Sequence, residues 1–431
     1  MRIASVMLPY HKKIFPNGLK AIVAPLKETK TVTLLVLVKV GSRYEKQSLN
    51  GVSHFIEHMM YKGTTNRPTT LHISKELDGV GAEYNAFTGK DQTGYYVKVN
   101  HEKKKLAFDI LSDILKNSLF NPVELNRERG VIEEEINMYK DNPQMYVESL
   151  FEELLYGEKN YLGQLISGPK SVIRKVTRVQ MLRYKNKYYH PRNILVVIAG
   201  KINLPEGFSL IEKYFNFERT KGRVSSFQKV KVVQNIPKAK MEYKKTEQVQ
   251  LCLGFPAYSY FHKDLEALFL LSTILGGNMS SRLFINIREK LGLCYFIRSS
   301  ANIYEDIGNF VIQSGLDRRR IHQAIVKILE EIKKIRQTEV SPEELEKAKE
   351  YLKGRLTLEM EDSEQIAGWY GVQQLLTKKT LTLEQRFRKI QKVKASDIQR
   401  VAKNIFQTAK INLALVGPFT TKQKFLRLLK I

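Results

Sequence analysis

Apolar and polar positions recur along this chain with two periods. Residues 31–40, Thr-Val-Thr-Leu-Leu-Val-Leu-Val-Lys-Val, form a β-branched, apolar run closed by Gly41, and predict a central strand. Residues 69–77 predict a helix that breaks at Gly79 and Gly81. Residues 82–100 alternate and turn, with a second strand over 93–99. Residues 106–118 carry apolar side chains at helical spacing and stop before Asn121-Pro122. Over 125–139 the helical face is Leu125, Glu128, Ile132, Glu135 and Tyr139. Two carboxylates thus stand where the period calls for apolar residues, which is costly unless they are paired or bind metal. Residues 265–275 predict a helix that is simply apolar.

The pattern also repeats. Residues 176–200 run through a helix into Ile-Leu-Val-Val-Ile-Ala-Gly, and residues 393–417 run through a helix into Ile-Asn-Leu-Ala-Leu-Val-Gly. The two align without a gap, with Val176/Val393, Arg183/Arg400 and Gly200/Gly417 identical. Between them, residues 219–240 are polar and basic and contain Gly222 and Pro237, as a linker would. We therefore expect two tandem homologous domains, 1–218 and 241–431, each of ordinary domain size. Strands and helices mix without strict alternation, so the expected class is α+β.

The chemistry gathers in residues 51–63, Gly-Val-Ser-His-Phe-Ile-Glu-His-Met-Met-Tyr-Lys-Gly. Ser53 is the expected N-cap and Gly63 the expected stop, giving about three turns of helix. His54 and His58, four apart, present two imidazoles on one face, a spacing at which both can bind one Zn²⁺ at roughly 2.0–2.1 Å. Glu57 projects from nearly the same face and suits a general base. This H-x-x-E-H order marks the inverted zinc peptidases. Glu135 or Glu128 is placed to supply a third ligand; a charged helix with a wide solvated face is the alternative.

The rest of the composition narrows the picture by exclusion. The 431 residues are 43% hydrophobic and 27% charged, an ordinary globular balance. The net charge of +27 is spread along the whole chain, in no basic run interleaved with aromatics, so we expect a basic solvated surface and no nucleic-acid partner. Two cysteines, Cys252 and Cys294, allow neither a disulfide framework nor a cysteine metal cluster, and read as buried free thiols. The apolar part of the N-terminus is too short for a secretory signal, and no run reaches the ~18 apolar residues of a membrane span. The expected location is cytoplasmic. The turn Gly276-Gly277 precedes a helix but lacks the Gly-Lys-Ser/Thr ending of a phosphate loop.

Taken with its neighbours, the histidine stretch resembles the pitrilysin or insulinase-type zinc peptidases, and among them the members similar to mitochondrial processing peptidase. The resemblance rests on 41–45 (Gly-Ser-Arg-Tyr-Glu), on 51–64, on 85–88 (Asn-Ala-Phe-Thr), on 127–135 (Arg-Glu-Arg-Gly-Val-Ile-Glu-Glu-Glu) and on 276–295, and covers nearly the whole chain. It implies two domains, each a mostly antiparallel sheet packed with helices, of which only the first carries zinc ligands. It implies one zinc per chain on His54, His58 and Glu135, with Glu57 as base and Glu128 orienting a liganding histidine. It implies that Asn85 binds substrate backbone and that Arg288 and Tyr295 reach the substrate from the second domain. The function it implies is a zinc endopeptidase acting on peptides or unfolded segments bound as an added strand in an enclosed chamber, in a homodimer or in a heterodimer with a related chain. A non-catalytic peptide-binding or assembly subunit of the same fold is the rival reading.

Overall fold

The computed structural model describes residues 9–219, 224 and 226–431. The N-terminal stretch 1–8 and part of the predicted linker, Gly222 included, lie outside the described residues. The alternating and β-branched runs form two sheets. The first contains β1 (His11–Ile14), β2 (Lys20–Pro25), β3 (Thr31–Val38), β4 (Glu83–Thr88), β5 (Thr93–Asn100) and β6 (Ile194–Gly200), in the order β1-β2-β6-β3-β5-β4. The second contains β7 (Lys238–Tyr243), β8 (Gln248–Ala257), β9 (Cys294–Ile303), β10 (Gly308–Asp317) and β11 (Asn412–Gly417), in the order β7-β11-β8-β10-β9. In each sheet one pair is parallel, β2 with β6 and β7 with β11, and all other pairs are antiparallel. The class is α+β, as expected.

Setting β1 aside and counting strands within each half, both sheets run first, fifth, second, fourth, third. The repeat seen in the sequence is the closing part of this shared order. Helix Arg178–Tyr188, turn Pro191–Asn193 and β6 match helix Ala395–Ile405, turn Thr408–Lys410 and β11. The offset is 217 at each helix and turn boundary: 178 to 395, 188 to 405, 191 to 408, 193 to 410.

The described chain packs as two compact units whose boundaries cut across the predicted 1–218 and 241–431. One gathers the chain up to Ile136, Gln164–Gln228 and Leu356–Arg386; the other gathers Asn137–Gly163, Lys229–Arg355 and Phe387–Ile431. The reason is where two helices bury their apolar faces. Helix Ser363–Thr377 belongs to the first unit: its N-cap Asp362 pairs with Lys98 of β5 at 2.7 Å, and the Ser363 hydroxyl bonds that of Thr33 on β3 at 2.8 Å. Helix Pro143–Tyr156 belongs to the second: Val147, Leu150 and Phe151 join Cys252, Val311, Ala414 and Val416 in its core. Sequence order alone cannot show which sheet a helix will cover. Cys252 is a buried free thiol as expected, whereas Cys294, at the start of an outer strand, is only half-buried.

Candidate metal centre

The helix that carries the histidines spans Val52–Met60 and starts two residues earlier than a cap at Ser53 would set. Gly51 precedes it at φ +95°, and a Cβ there would lie 2.4 Å from the Ser167 carbonyl oxygen, so the start needs glycine. The cap comes from outside the helix. Buried Glu45 accepts the Gly51 N–H and the Asn50 side-chain amide on Oε2, at 2.7 and 2.9 Å, and the Ser53 N–H on Oε1 at 2.7 Å. Burial outweighs these bonds and pushes the Glu45 carboxyl up to about 7. Ser53 is therefore not the cap; its hydroxyl bonds that of Tyr184 at 3.0 Å. Phe55, Ile56 and Met59 anchor the other side of the helix in the core.

The carboxylates come from helix Pro122–Asp141. Its buried stripe is Leu125, Glu128, Ile132 and Ile136, with Glu135 half-buried beside it. Tyr139, expected on this face, is 38% exposed, while Ile136 is buried. Glu134 is exposed, and Glu133 pairs with Arg174 at 2.6 Å.

Three donor atoms converge. His54 Nε2 lies 3.3 Å from His58 Nε2, and each lies 3.5 Å from Glu135 Oε2. Ligands held at roughly 2.0–2.1 Å from a tetrahedral zinc are separated by about 3.3 Å, so this near-equilateral triangle fits the ion. Among the described residues it is the one group of His, Cys, Asp and Glu side chains with such convergence. The ring orientation fits as well. Glu128, 4% exposed, faces His58 Nδ1 at 3.0 Å, which leaves Nε2 free to bind metal. The other oxygen of Glu128 pairs with Lys62 at 2.6 Å. His54 Nδ1 is buried with no hydrogen-bond partner. Burial and the neighbouring His58 drive His54 down to about 4. For His58, burial is outweighed by the bonds to Glu128 and Glu135, and its pKa rises to about 9.

Glu57 stands beside the triangle. Thr88 of β4 donates its hydroxyl to Glu57 Oε2 at 2.7 Å, while burial raises the carboxyl above its ordinary value. Asn85 also lies on β4, exposed, with its side-chain oxygen accepting the Ala86 N–H at 2.8 Å. β4 is the outer strand of its sheet and, among the described residues, pairs with β5 alone. Arg288 and Tyr295 stand on the second compact unit. The helix expected to hold Arg288 is wound as a π-helix over Phe284–Glu289, where Arg288 lies 4.5 Å over the Phe284 ring. Tyr295, in the outer strand β9, is 74% exposed. Three residues with clear local roles were not singled out from the sequence: Glu45, Lys62 and Thr88. All three fall inside the stretches that carry the family resemblance, and no periodicity marks them.

Two sheets of one strand order, one of them bearing an inverted histidine pair and a converging glutamate, define the two-domain metallopeptidase fold. The chain belongs to the insulinase family of peptidases, family M16. The model for insulinase (peptidase family M16) matches residues 21–170, and that for the peptidase M16 inactive domain matches residues 175–352. A Bacillus subtilis protein named as an uncharacterized zinc protease is 33% identical over 403 residues, covering 93% of this chain and 97% of its own. A Rickettsia bellii protein of the same description is 34% identical over 409 residues, with 93% and 96% covered. Among solved structures, a protease from Helicobacter pylori superposes with a TM-score of 0.88 at 23% identity, covering 95% of this chain and 99% of that one. A Pseudomonas fluorescens structure titled as a peptidase M16 inactive domain also gives 0.88, at 18% identity, with 96% and 99% covered. At these identities the two structures speak for the fold alone. No helix among the described residues is long and apolar enough to cross a membrane.

Proposed function

We propose that this chain is a zinc-dependent endopeptidase that hydrolyses peptides or unfolded segments. The observation that carries the reading is the triangle of His54, His58 and Glu135 donor atoms at 3.3–3.5 Å with Glu57 beside it. One zinc per chain, held by these three, would polarise a peptide carbonyl and lower the pKa of water. Glu128 keeps His58 in the tautomer whose Nε2 can bind. Glu57 takes the proton from the attacking water and hands it to the leaving nitrogen, a role suited by its burial-raised pKa. Thr88 occupies one Glu57 oxygen and leaves the other for that transfer. The free edge of β4 suits a peptide added as a further strand, with Asn85 on that strand to bind its backbone. Arg288 and Tyr295 are assigned to the substrate, as donors to a carbonyl oxygen that gains charge.

The test is elemental analysis for zinc combined with hydrolysis of a mixed peptide library, with and without chelator. Wild type should hold about one zinc per chain and lose activity with chelator. His58→Ala should lose most of its zinc and all of its peptidase activity. Stoichiometric zinc in that variant would mean the metal is bound elsewhere.

A further inference from the structure

Lys62 has no part in the mechanism above, yet it is tied to it by one intervening side chain. Its backbone is fixed on both sides. Its N–H bonds the Met59 carbonyl at 3.2 Å, at the end of the histidine helix. The next residue, Gly63, has φ +119°, a Cβ there would lie 2.4 Å from the Pro68 carbonyl oxygen, and its own carbonyl accepts the Leu119 N–H at 3.0 Å. From this anchored turn the Lys62 ammonium reaches Glu128 Oε1 at 2.6 Å, and the other oxygen of the same carboxylate faces His58 Nδ1 at 3.0 Å.

We propose that Lys62 is a positioning residue for the metal site, holding the Glu128 carboxylate in the orientation that aims His58 Nε2 at zinc. The inference rests on the zinc-site reading above. A carboxylate held through one oxygen is free about its terminal torsion, which has broad preferences. Held by Lys62 on one oxygen and His58 on the other, it has one orientation. Charge argues the same way. Glu57, Glu128 and Glu135 bring three negative charges into a partly buried site; a zinc dication and one ammonium balance them. Without Lys62 one buried carboxylate charge lacks its counter-ion, a costly arrangement at low exposure.

The experiment uses the full chain, stripped of metal and titrated with zinc against a chromophoric chelator. Lys62→Met and Lys62→Gln should each weaken zinc about tenfold, the lower end of the range for groups behind a liganding histidine. Lys62→Arg, which keeps the charge and the reach, should restore most of the affinity. Glu128→Gln should cost roughly 10–100-fold. Adding Lys62→Met to Glu128→Gln should cost nothing more, because Lys62 acts through that carboxylate. A merely structural lysine would give the same loss in both backgrounds, and that result would overturn the proposal. So would an affinity within about twofold of wild type in both Lys62→Met and Lys62→Gln, below any effect expected of such a group. His58→Ala, run alongside, keeps the two readings apart. If it retains zinc, the site itself is wrong; if it loses zinc while both Lys62 variants keep it, only the role of Lys62 falls.

Discussion

The two halves of this chain place a helix at the same point of one strand order, between the second and third strands, and use it differently. In the first half it is Val52–Met60, which carries His54, Glu57 and His58. In the second it is Leu265–Gly276, which buries Leu268, Leu270, Leu271, Ile274 and Leu275. The long helices downstream differ in the same way. Helices Pro122–Asp141 and Pro342–Glu359 start 220 residues apart, and the N-caps of the helices that follow them, Asn142 and Asp362, differ by 220 as well. At that offset Leu125 matches Leu345, both buried, but Glu128 matches Ala348 and Glu135 matches Arg355. The sheet therefore does not require the metal site. It tolerates the site because the first half supplies partners for several of its buried polar groups: Glu45 for the helix start, Tyr184 for Ser53, Lys62 and His58 for Glu128.

The sharpest break of that comparison lies in the glutamate helix. Glu135→Gln should lose zinc and turnover altogether, whereas Glu134→Gln, altered on the exposed side, should keep both. If elemental analysis gave the reverse, the helix would face the histidines with a different side. Next in size is Glu57→Gln, which keeps shape but cannot accept a proton. Zinc and peptide binding should survive while kcat falls by roughly 10²–10⁴-fold. A variant that turned over at the wild-type rate with zinc in place would strip Glu57 of its role.

The second half can be tested for chemistry of its own. Arg288→Ala and Tyr295→Phe should leave zinc unchanged and lower kcat/KM, by about 10²–10³-fold if each donates to the developing oxyanion. Steady-state peptide hydrolysis on zinc-replete protein decides this. Unchanged values in both would leave the second half a scaffold and the first half to work alone.

The smallest expected effect is on stability and concerns the Glu45 cap of the histidine helix. Glu45 has its folded pKa raised, to about 7 from an ordinary 4.5, so the folded state binds its proton more tightly than the unfolded state. Its contribution is therefore fully present below the unfolded pKa and is lost as pH rises through the folded one. The window is pH 4.5 to about 7, and the size is on the order of 3 kcal/mol. Urea unfolding of wild type and Glu45→Gln across that window should show their difference changing by this amount and levelling off above it. A difference independent of pH would mean that Glu45 does not titrate in this range.

Much of this architecture was legible along the chain because it is local. Strand β3, the histidine helix and the closing repeat follow from period, branching and turn residues within a dozen positions of one another. The four-residue spacing of His54 and His58 put both rings on one face before any fold was known. Sequence spacing left Glu128 and Glu135 as alternatives, since both are near the inward face of one helix. The family resemblance implies Glu135 as the ligand and Glu128 as the residue that orients a histidine; in the tertiary structure Glu135 faces the two Nε2 atoms and Glu128 faces His58 Nδ1. Only the tertiary structure decides that Glu45, rather than Ser53, caps the histidine helix, that Thr88 holds Glu57, and that helices 143–156 and 363–377 each join the sheet built mainly by the other half. These are contacts between residues 6 to more than 300 positions apart. Side-chain periodicity reports which face of an element is buried, and it carries no information about which partner buries it.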